Sequence, residues 1–334
     1  MNIHAKHGKD KTLGSVTGDG PRDALNLARC QSCPRRCGVD RTAGKTGFCG
    51  IGAEIKVAHV GLHFGEEPPI SGSGGSGTVF FAGCNLHCVF CQNHQISQQF
   101  EKIATRTLSP EALAAEMIRL QDQGAHNINF VSPSHMIVRM AEAIGAARRM
   151  GLVVPVVYNS NGYDSVEALR RIRGLVDIYL PDIKYLDNRL GRRFSAVDDY
   201  AEVVPGVLWE MYAQVGPLKM DAHGIAVRGL LARHLVLPGH LDNSRRCLDF
   251  LAGLSPQLHI SIMAQYSPRH RASEFAEIDR PLREAEYDRI VDHAFALGLE
   301  NAFVQELESR DQYLPDFTRE APFEGSPQAP AKPQ

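Results

Sequence analysis

Three cysteines, Cys84, Cys88 and Cys91, follow one another closely in Gly-Thr-Val-Phe-Phe-Ala-Gly-Cys-Asn-Leu-His-Cys-Val-Phe-Cys-Gln-Asn (77–93). Thiolates at such tight spacing converge on one centre, as soft ligands do for zinc or for iron–sulfur clusters. A closed structural site takes four ligands, and this loop offers three. Three ligands on a four-iron cube leave one iron open to a small molecule. A zinc knuckle with a remote fourth ligand, or plain buried cysteines, is the alternative. Val79, Phe80 and Phe81, just before the loop, read as a buried strand.

A second group comprises Cys30, Cys33 and Cys37, with Cys49 downstream. Its count is that of a closed tetrahedral site. It predicts a second metal, zinc or an auxiliary iron–sulfur cluster, against the alternative of reduced, unligated thiols. Arg35, Arg36, Arg41 and Lys45 make this module locally basic, which by itself reads as a solvated face. The eighth cysteine, Cys247, stands alone. Clustered cysteines behind a polar N-terminus that does not read as a signal peptide indicate metal sites in a reducing cytoplasm rather than disulfides. No apolar run approaches the roughly 18 residues of a membrane span. The net charge of −2 gives no steering toward nucleic acid or a membrane surface.

These residues need a scaffold. A chain of 334 residues, 43% of them hydrophobic, supports one large α/β barrel with appendages or two smaller domains. Composition divides it into a disordered N-terminus (1–20), a Cys-rich module (21–62), a core (63–308) and a disordered, Pro-rich tail (309–334). A strand is expected at 55–60. The glycine-rich loop 63–77 precedes a strand and lacks a Gly-Lys-Ser/Thr ending, so it is not a P-loop. From there strands and helices alternate. Ser109 caps a helix with Pro110 at its first position and Leu113, Met117 and Leu120 as its apolar stripe. Strands are expected at 127–131, 153–158, 176–180, 234–237, 258–263 and 302–304, with helices between them. Residues 189–223 are less regular, with a helix over 203–212. Repeated strand–helix units imply a parallel sheet with right-handed crossovers, closed or partly closed as a (β/α) barrel.

Barrels bind ligands where strands end. The expected strand ends carry Ser132-Pro133-Ser134-His135, Asn159-Ser160-Asn161-Gly162, Pro181-Asp182-Ile183-Lys184 and Gln265-Tyr266, and Arg233-His234 opens another strand. Polar residues thus gather at one end of an apolar barrel, where they can grip an amino acid, a ribose and a base. For each alone, a cap or a turn is an equally good account, and His234 beside an apolar run also reads as a satisfied core histidine.

The Cys-x3-Cys-x2-Cys loop resembles the signature of the radical S-adenosylmethionine (SAM) superfamily, and Phe90 before the last cysteine fits that pattern. Residues 30–306 as a whole are similar to the proteins around pyruvate formate-lyase activating enzyme. Glu66-Glu67-Pro68, Asn127-Ile-Asn-Phe-Val-Ser-Pro, Leu180-Pro-Asp-Ile-Lys-Tyr and Arg233-His-Leu-Val-Leu-Pro-Gly carry that likeness. The resemblance implies a partial (β/α) barrel in which Cys84, Cys88 and Cys91 hold a 4Fe-4S cluster and SAM chelates the open iron. It implies reductive cleavage of SAM to methionine and a 5′-deoxyadenosyl radical that abstracts hydrogen from a protein or small-molecule substrate. An electron donor such as flavodoxin or ferredoxin is implied as a partner. Asn161 falls at the ribose side, Asp182 and Lys184 near the methionine end, and His234 against adenosine. Ser132 stands where activating enzymes carry Gly-Gly-Glu for the SAM amino group. The missing Gly-Gly-Glu, and a cysteine module placed before the loop, set this chain apart from glycyl radical activases. A structural zinc protein without radical chemistry is the competing reading.

Overall fold

The computed structural model describes residues 26–307 and 314–324. Ten strands run in chain order as β1 (Ile55–His63), β2 (Ser76–Phe81), β3 (Arg106–Leu108), β4 (Ile128–Val131), β5 (Val156–Ser160), β6 (Ile178–Pro181), β7 (Lys219–Met220), β8 (Ala226–Leu235), β9 (His259–Met263) and β10 (Ala302–Val304). The helices are α1 (Pro68–Ser71), α2 (His94–Ser97), α3 (Pro110–Asp122), α4 (Ile137–Arg149), α5 (Val166–Arg171), α6 (Asn188–Ser195), α7 (Tyr200–Val215), α8 (Leu241–Leu254) and α9 (Glu284–Ala296). The main sheet order is β10-β9-β8-β6-β5-β4-β2-β1-β3. From β2 to β10 every neighbouring pair is parallel, and β1 with β3 closes one edge antiparallel. The sheet does not close on itself, so the architecture is a partial α/β barrel. Among the described residues no helix is long and apolar enough to cross a membrane.

Local chemistry explains several elements. Ser109 caps α3 by accepting a hydrogen bond from the Ala112 amide at 3.1 Å, and Leu113, Met117 and Leu120 are fully buried, as the sequence predicts. α7 covers more of 189–223 than expected. Pro205 and Gly206 interrupt its helical signal, yet Tyr200, Val204, Val207, Leu208 and Met211 form one buried stripe. β5 lies two to three residues later than expected, so Asn159 and Ser160 belong to the strand. β8 begins at Ala226, well before His234.

Strand alternation builds a floor and a mouth. Residues two apart share a face. Val157, Leu180 and Leu231 join Ile70 of α1 in one apolar cluster. Their same-face neighbours toward the strand ends, Asn159, Asp182 and Arg233, line the cavity above.

Residues 314–324 belong to the stretch expected to be a disordered tail, yet they pack on the core. Phe317 is buried and its ring lies 5.4 Å from that of Phe80. Gln95 holds the segment by accepting from the Phe317 amide at 2.8 Å and donating to Asp316 Oδ1 at 3.2 Å. Two large apolar rings outweigh the polar, Pro-rich composition that motivated the expectation. The expected disorder at 1–20, like residues 308–313 and 325–334, falls outside the described residues.

Candidate metal and cofactor site

The loop after β2 turns at Gly83 with φ +78°, where a Cβ would lie 2.4 Å from the Cys49 carbonyl oxygen. Glycine is therefore required by both backbone conformation and space. The turn delivers Cys84, Cys88 and Cys91 to one cavity at the strand ends. Burial pushes the Cys84 thiol up to about 12 and Cys91 up to about 11, and raises Cys88 as well. Without a cation these sulfurs stay protonated; a metal supplies the charge that makes thiolates of them. Polar side chains already meet the sulfurs. Asn161 Nδ2 donates to Cys84 Sγ at 3.4 Å, Ser195 Oγ lies 3.0 Å from Cys88 Sγ, and Ser97 Oγ lies 3.4 Å from Cys91 Sγ. Among the described residues no three His, Cys, Asp or Glu side chains converge to hold a single metal ion. A cluster binds each thiolate to a different iron, and three thiolates lining one cavity fit that use.

Across the cavity lies a buried charge network. Asp182 accepts from Lys184 Nζ at 2.6 Å and from Arg233 Nε at 2.9 Å. Arg233 also donates to Asn159 Oδ1 at 2.6 Å and to Glu66 Oε2 at 3.2 Å. Glu66 Oε1 accepts from Asn129 and Asn159 at 3.0 and 3.1 Å. Burial alone would raise the Asp182 carboxyl, but the Lys184 and Arg233 cations outweigh it and hold the group below its ordinary value. Burial would lower Lys184, and Asp182 reverses that. Glu66 is raised by burial in spite of Arg233.

Four of the five residues expected to bind SAM, Ser132, Asn161, Asp182 and Lys184, line this cavity with the three cysteines. Ser132 takes a left-handed conformation, φ 52° and ψ 54°. That is a glycine-like geometry, sparsely populated by serine. His234 does not line the cavity. Its ring nitrogens meet the Ile183 carbonyl oxygen at 2.7 Å and Ser244 Oγ of α8 at 2.9 Å, on the outer face of β8. Arg233, one residue earlier, takes the inner face. The sequence places Asn159 and Arg233 among the polar strand-end residues without giving either a role of its own, and Glu66 enters there only as a point of likeness. The two-residue period of β8, counted from Leu231, is the signal that separates Arg233 from His234.

Cys30, Cys33, Cys37 and Cys49 line a second, smaller cavity together with Asn85, the neighbour of Cys84. Cys30, Cys33 and Cys49 are buried, and burial raises Cys33 and Cys49. A Cβ on Gly47 would come within 2.7 Å of Cys37 Sγ. The basic residues are not all a solvated face. Arg41 is buried and donates to the His135 carbonyl oxygen at 2.6 Å. Arg35 donates to the Asn85 and Ala196 carbonyl oxygens and stacks over Phe48 at 3.7 Å. These two side chains fasten the module to the barrel.

A partial parallel barrel with three cysteines and a polar network at its strand ends defines an iron–sulfur enzyme scaffold. The radical SAM superfamily model matches residues 78–214. The uncharacterized protein MJ0674 of Methanocaldococcus jannaschii is 32% identical over 277 residues, 81% of this chain and 75% of that protein. A second protein of the same organism, MJ0808, is 28% identical over 173 residues, 48% of this chain and 50% of that protein. Among solved structures, SuiB of Streptococcus suis bound to S-adenosylmethionine aligns with a TM-score of 0.48 at 12% identity, over 68% of this chain and 50% of that one. Methylornithine synthase aligns with a TM-score of 0.46 at 14% identity, over 66% of this chain and 61% of that one. The chain thus spans about half the length of SuiB. The chain belongs to the radical SAM superfamily, whose enzymes use a 4Fe-4S cluster and SAM.

Proposed function

We propose that Cys84, Cys88 and Cys91 hold the cluster and that the facing polar wall binds SAM, in an enzyme that transfers a hydrogen atom from a protein or small-molecule substrate. The observation that carries this is the shared cavity of the three cysteines with Ser132, Asp182 and Lys184. Bound together, the two groups supply one-electron cleavage of the sulfonium and a radical for hydrogen abstraction. The protein's own residues bind, orient and exclude water. Lys184 is the cation for the SAM carboxylate. Asp182 fixes the Lys184 side chain and offers acceptor capacity to the amino group. The left-handed turn at Ser132 presents backbone where glycines do so in activating enzymes. Phe80, Phe323 and Pro315 give the cavity an apolar rim that limits water. A cluster on these cysteines would take its electron from a one-electron donor such as flavodoxin or ferredoxin. The module around Cys30, Cys33, Cys37 and Cys49 is read as a second metal site, supported by all four lining one small cavity. A cytoplasmic location fits eight unpaired cysteines.

Replacing Cys84, Cys88 and Cys91 together with Ala tests the assignment. After anaerobic reconstitution, SAM cleavage is expected to vanish, while iron or zinc at the N-terminal module stays. A triple variant that still releases methionine from SAM would sink the reading.

A further inference from the structure

Each of the three cavity sulfurs is met by a side chain from a different element: Asn161 after β5 at Cys84, Ser195 at the end of α6 at Cys88, and Ser97 at the end of α2 at Cys91. The Ser195 contact is the most firmly built. The cysteine loop is bonded to the same turn through its backbone, His87 N–H to the Ser195 carbonyl at 3.2 Å and Val89 N–H to the Phe194 carbonyl at 2.8 Å. Ala196, with φ 53°, closes that turn in the left-handed region. Ser195 and Tyr185 are both fully buried, and Tyr185 Oη lies 2.9 Å from Ser195 Oγ. A thiolate has no proton to give. Once Cys88 is ionised, Ser195 must donate to the sulfur, and Tyr185 can then donate to Ser195. The chain of donors acquires one direction, and each bond polarises the next.

We propose that Ser195, oriented by Tyr185, is a positioning residue that raises the reduction potential of the cluster held by Cys84, Cys88 and Cys91. The inference rests on the radical SAM reading and adds a named control of the cluster's electron affinity. Reduction by an external one-electron donor adds negative charge to the iron and its sulfur ligands. A donor aimed at a ligand sulfur therefore stabilises the reduced form more than the oxidised one. The other two sulfurs gain the same way from Asn161 and Ser97. Their contacts are longer, at 3.4 Å each.

The experiment is a redox titration of the anaerobically reconstituted chain, followed by electron paramagnetic resonance, with iron and sulfide assayed on each sample. Ser195→Ala keeps both backbone bonds to the cysteine loop and removes only the hydroxyl. It should retain full iron and lose about tenfold in the ratio of reduced to oxidised cluster at fixed potential, a fall of roughly 59 mV for a one-electron couple. Ser195→Thr should restore most of the loss. Tyr185→Phe should move the midpoint in the same direction by less. Wild-type midpoints in the Ala and Phe variants at full iron content overturn the inference. If Ser195→Ala fails to hold a cluster, Tyr185→Phe decides alone. A wild-type chain that takes up neither iron nor sulfide removes the cluster assignment itself, which is a separate and earlier failure.

Discussion

Asp182→Asn probes the centre of the charge network. Asp182 meets Lys184 at 2.6 Å and Arg233 at 2.9 Å, and all three side chains are only 14% exposed. Asparagine keeps the shape and one acceptor but removes the charge. Breaking a buried pair by deleting one partner costs about 3–5 kcal/mol, because the remaining charge is left uncompensated. Here Glu66 still faces Arg233 and the amide still accepts one hydrogen bond. The loss should therefore sit near the lower end, about 3 kcal/mol. For a chain of this size that lowers Tm by roughly 5 °C. Lys184 also loses the group that fixes it in the cavity. A charge-assisted hydrogen bond is worth about 1.5–3 kcal/mol, so SAM affinity should fall at least about tenfold. The assays are thermal unfolding of the metal-free protein and SAM calorimetry on the reconstituted protein, with iron measured in both proteins. An unchanged Tm refutes the electrostatic reasoning. An unchanged Kd at full iron content removes Asp182 from the SAM site.

Replacing Cys30, Cys33, Cys37 and Cys49 with Ala should lower the metal content of anaerobically purified protein while leaving the iron bound by the other three cysteines. Equal total metal in variant and wild type would show the module to be thiols alone. Burial holds His234 down at about 4, against an ordinary imidazole value of 6.5. The unfolded chain therefore takes up a proton that the folded chain excludes as pH falls from 6.5 toward 4, and stability falls with it. His234→Gln should make that decline shallower by up to about 1.4 kcal/mol per pH unit, the slope of one proton. Unfolding curves measured across this range that stay parallel for the two proteins would contradict it.

The chemistry-bearing cysteines were legible because their ligands are close in sequence. Short spacing lets one loop converge thiolates without help from the rest of the chain. The alternation of strands and helices was legible for the same reason, since capping and apolar stripes are local. α7 was only half seen, because Pro205 and Gly206 interrupt a helical signal that the buried stripe of Val204, Val207 and Met211 overrides. The inner wall of the site was a different matter. Glu66, Asn159 and Arg233 stand 74 to 167 residues apart where they bond; the parallel register of β5, β6 and β8 brings Asn159 and Arg233 together, and the loop between β1 and α1 lays Glu66 against both. Arg233 and His234 are neighbours in the chain, yet the pleat sends one into the cavity and the other against α8. Phe317 and Phe323 looked like part of a polar tail until the fold offered them Phe80. The sequence alone decides which groups can bind metal; the tertiary structure decides which polar groups face it, because a side chain's face and its distant partners are properties of the packed sheet and not of local spacing.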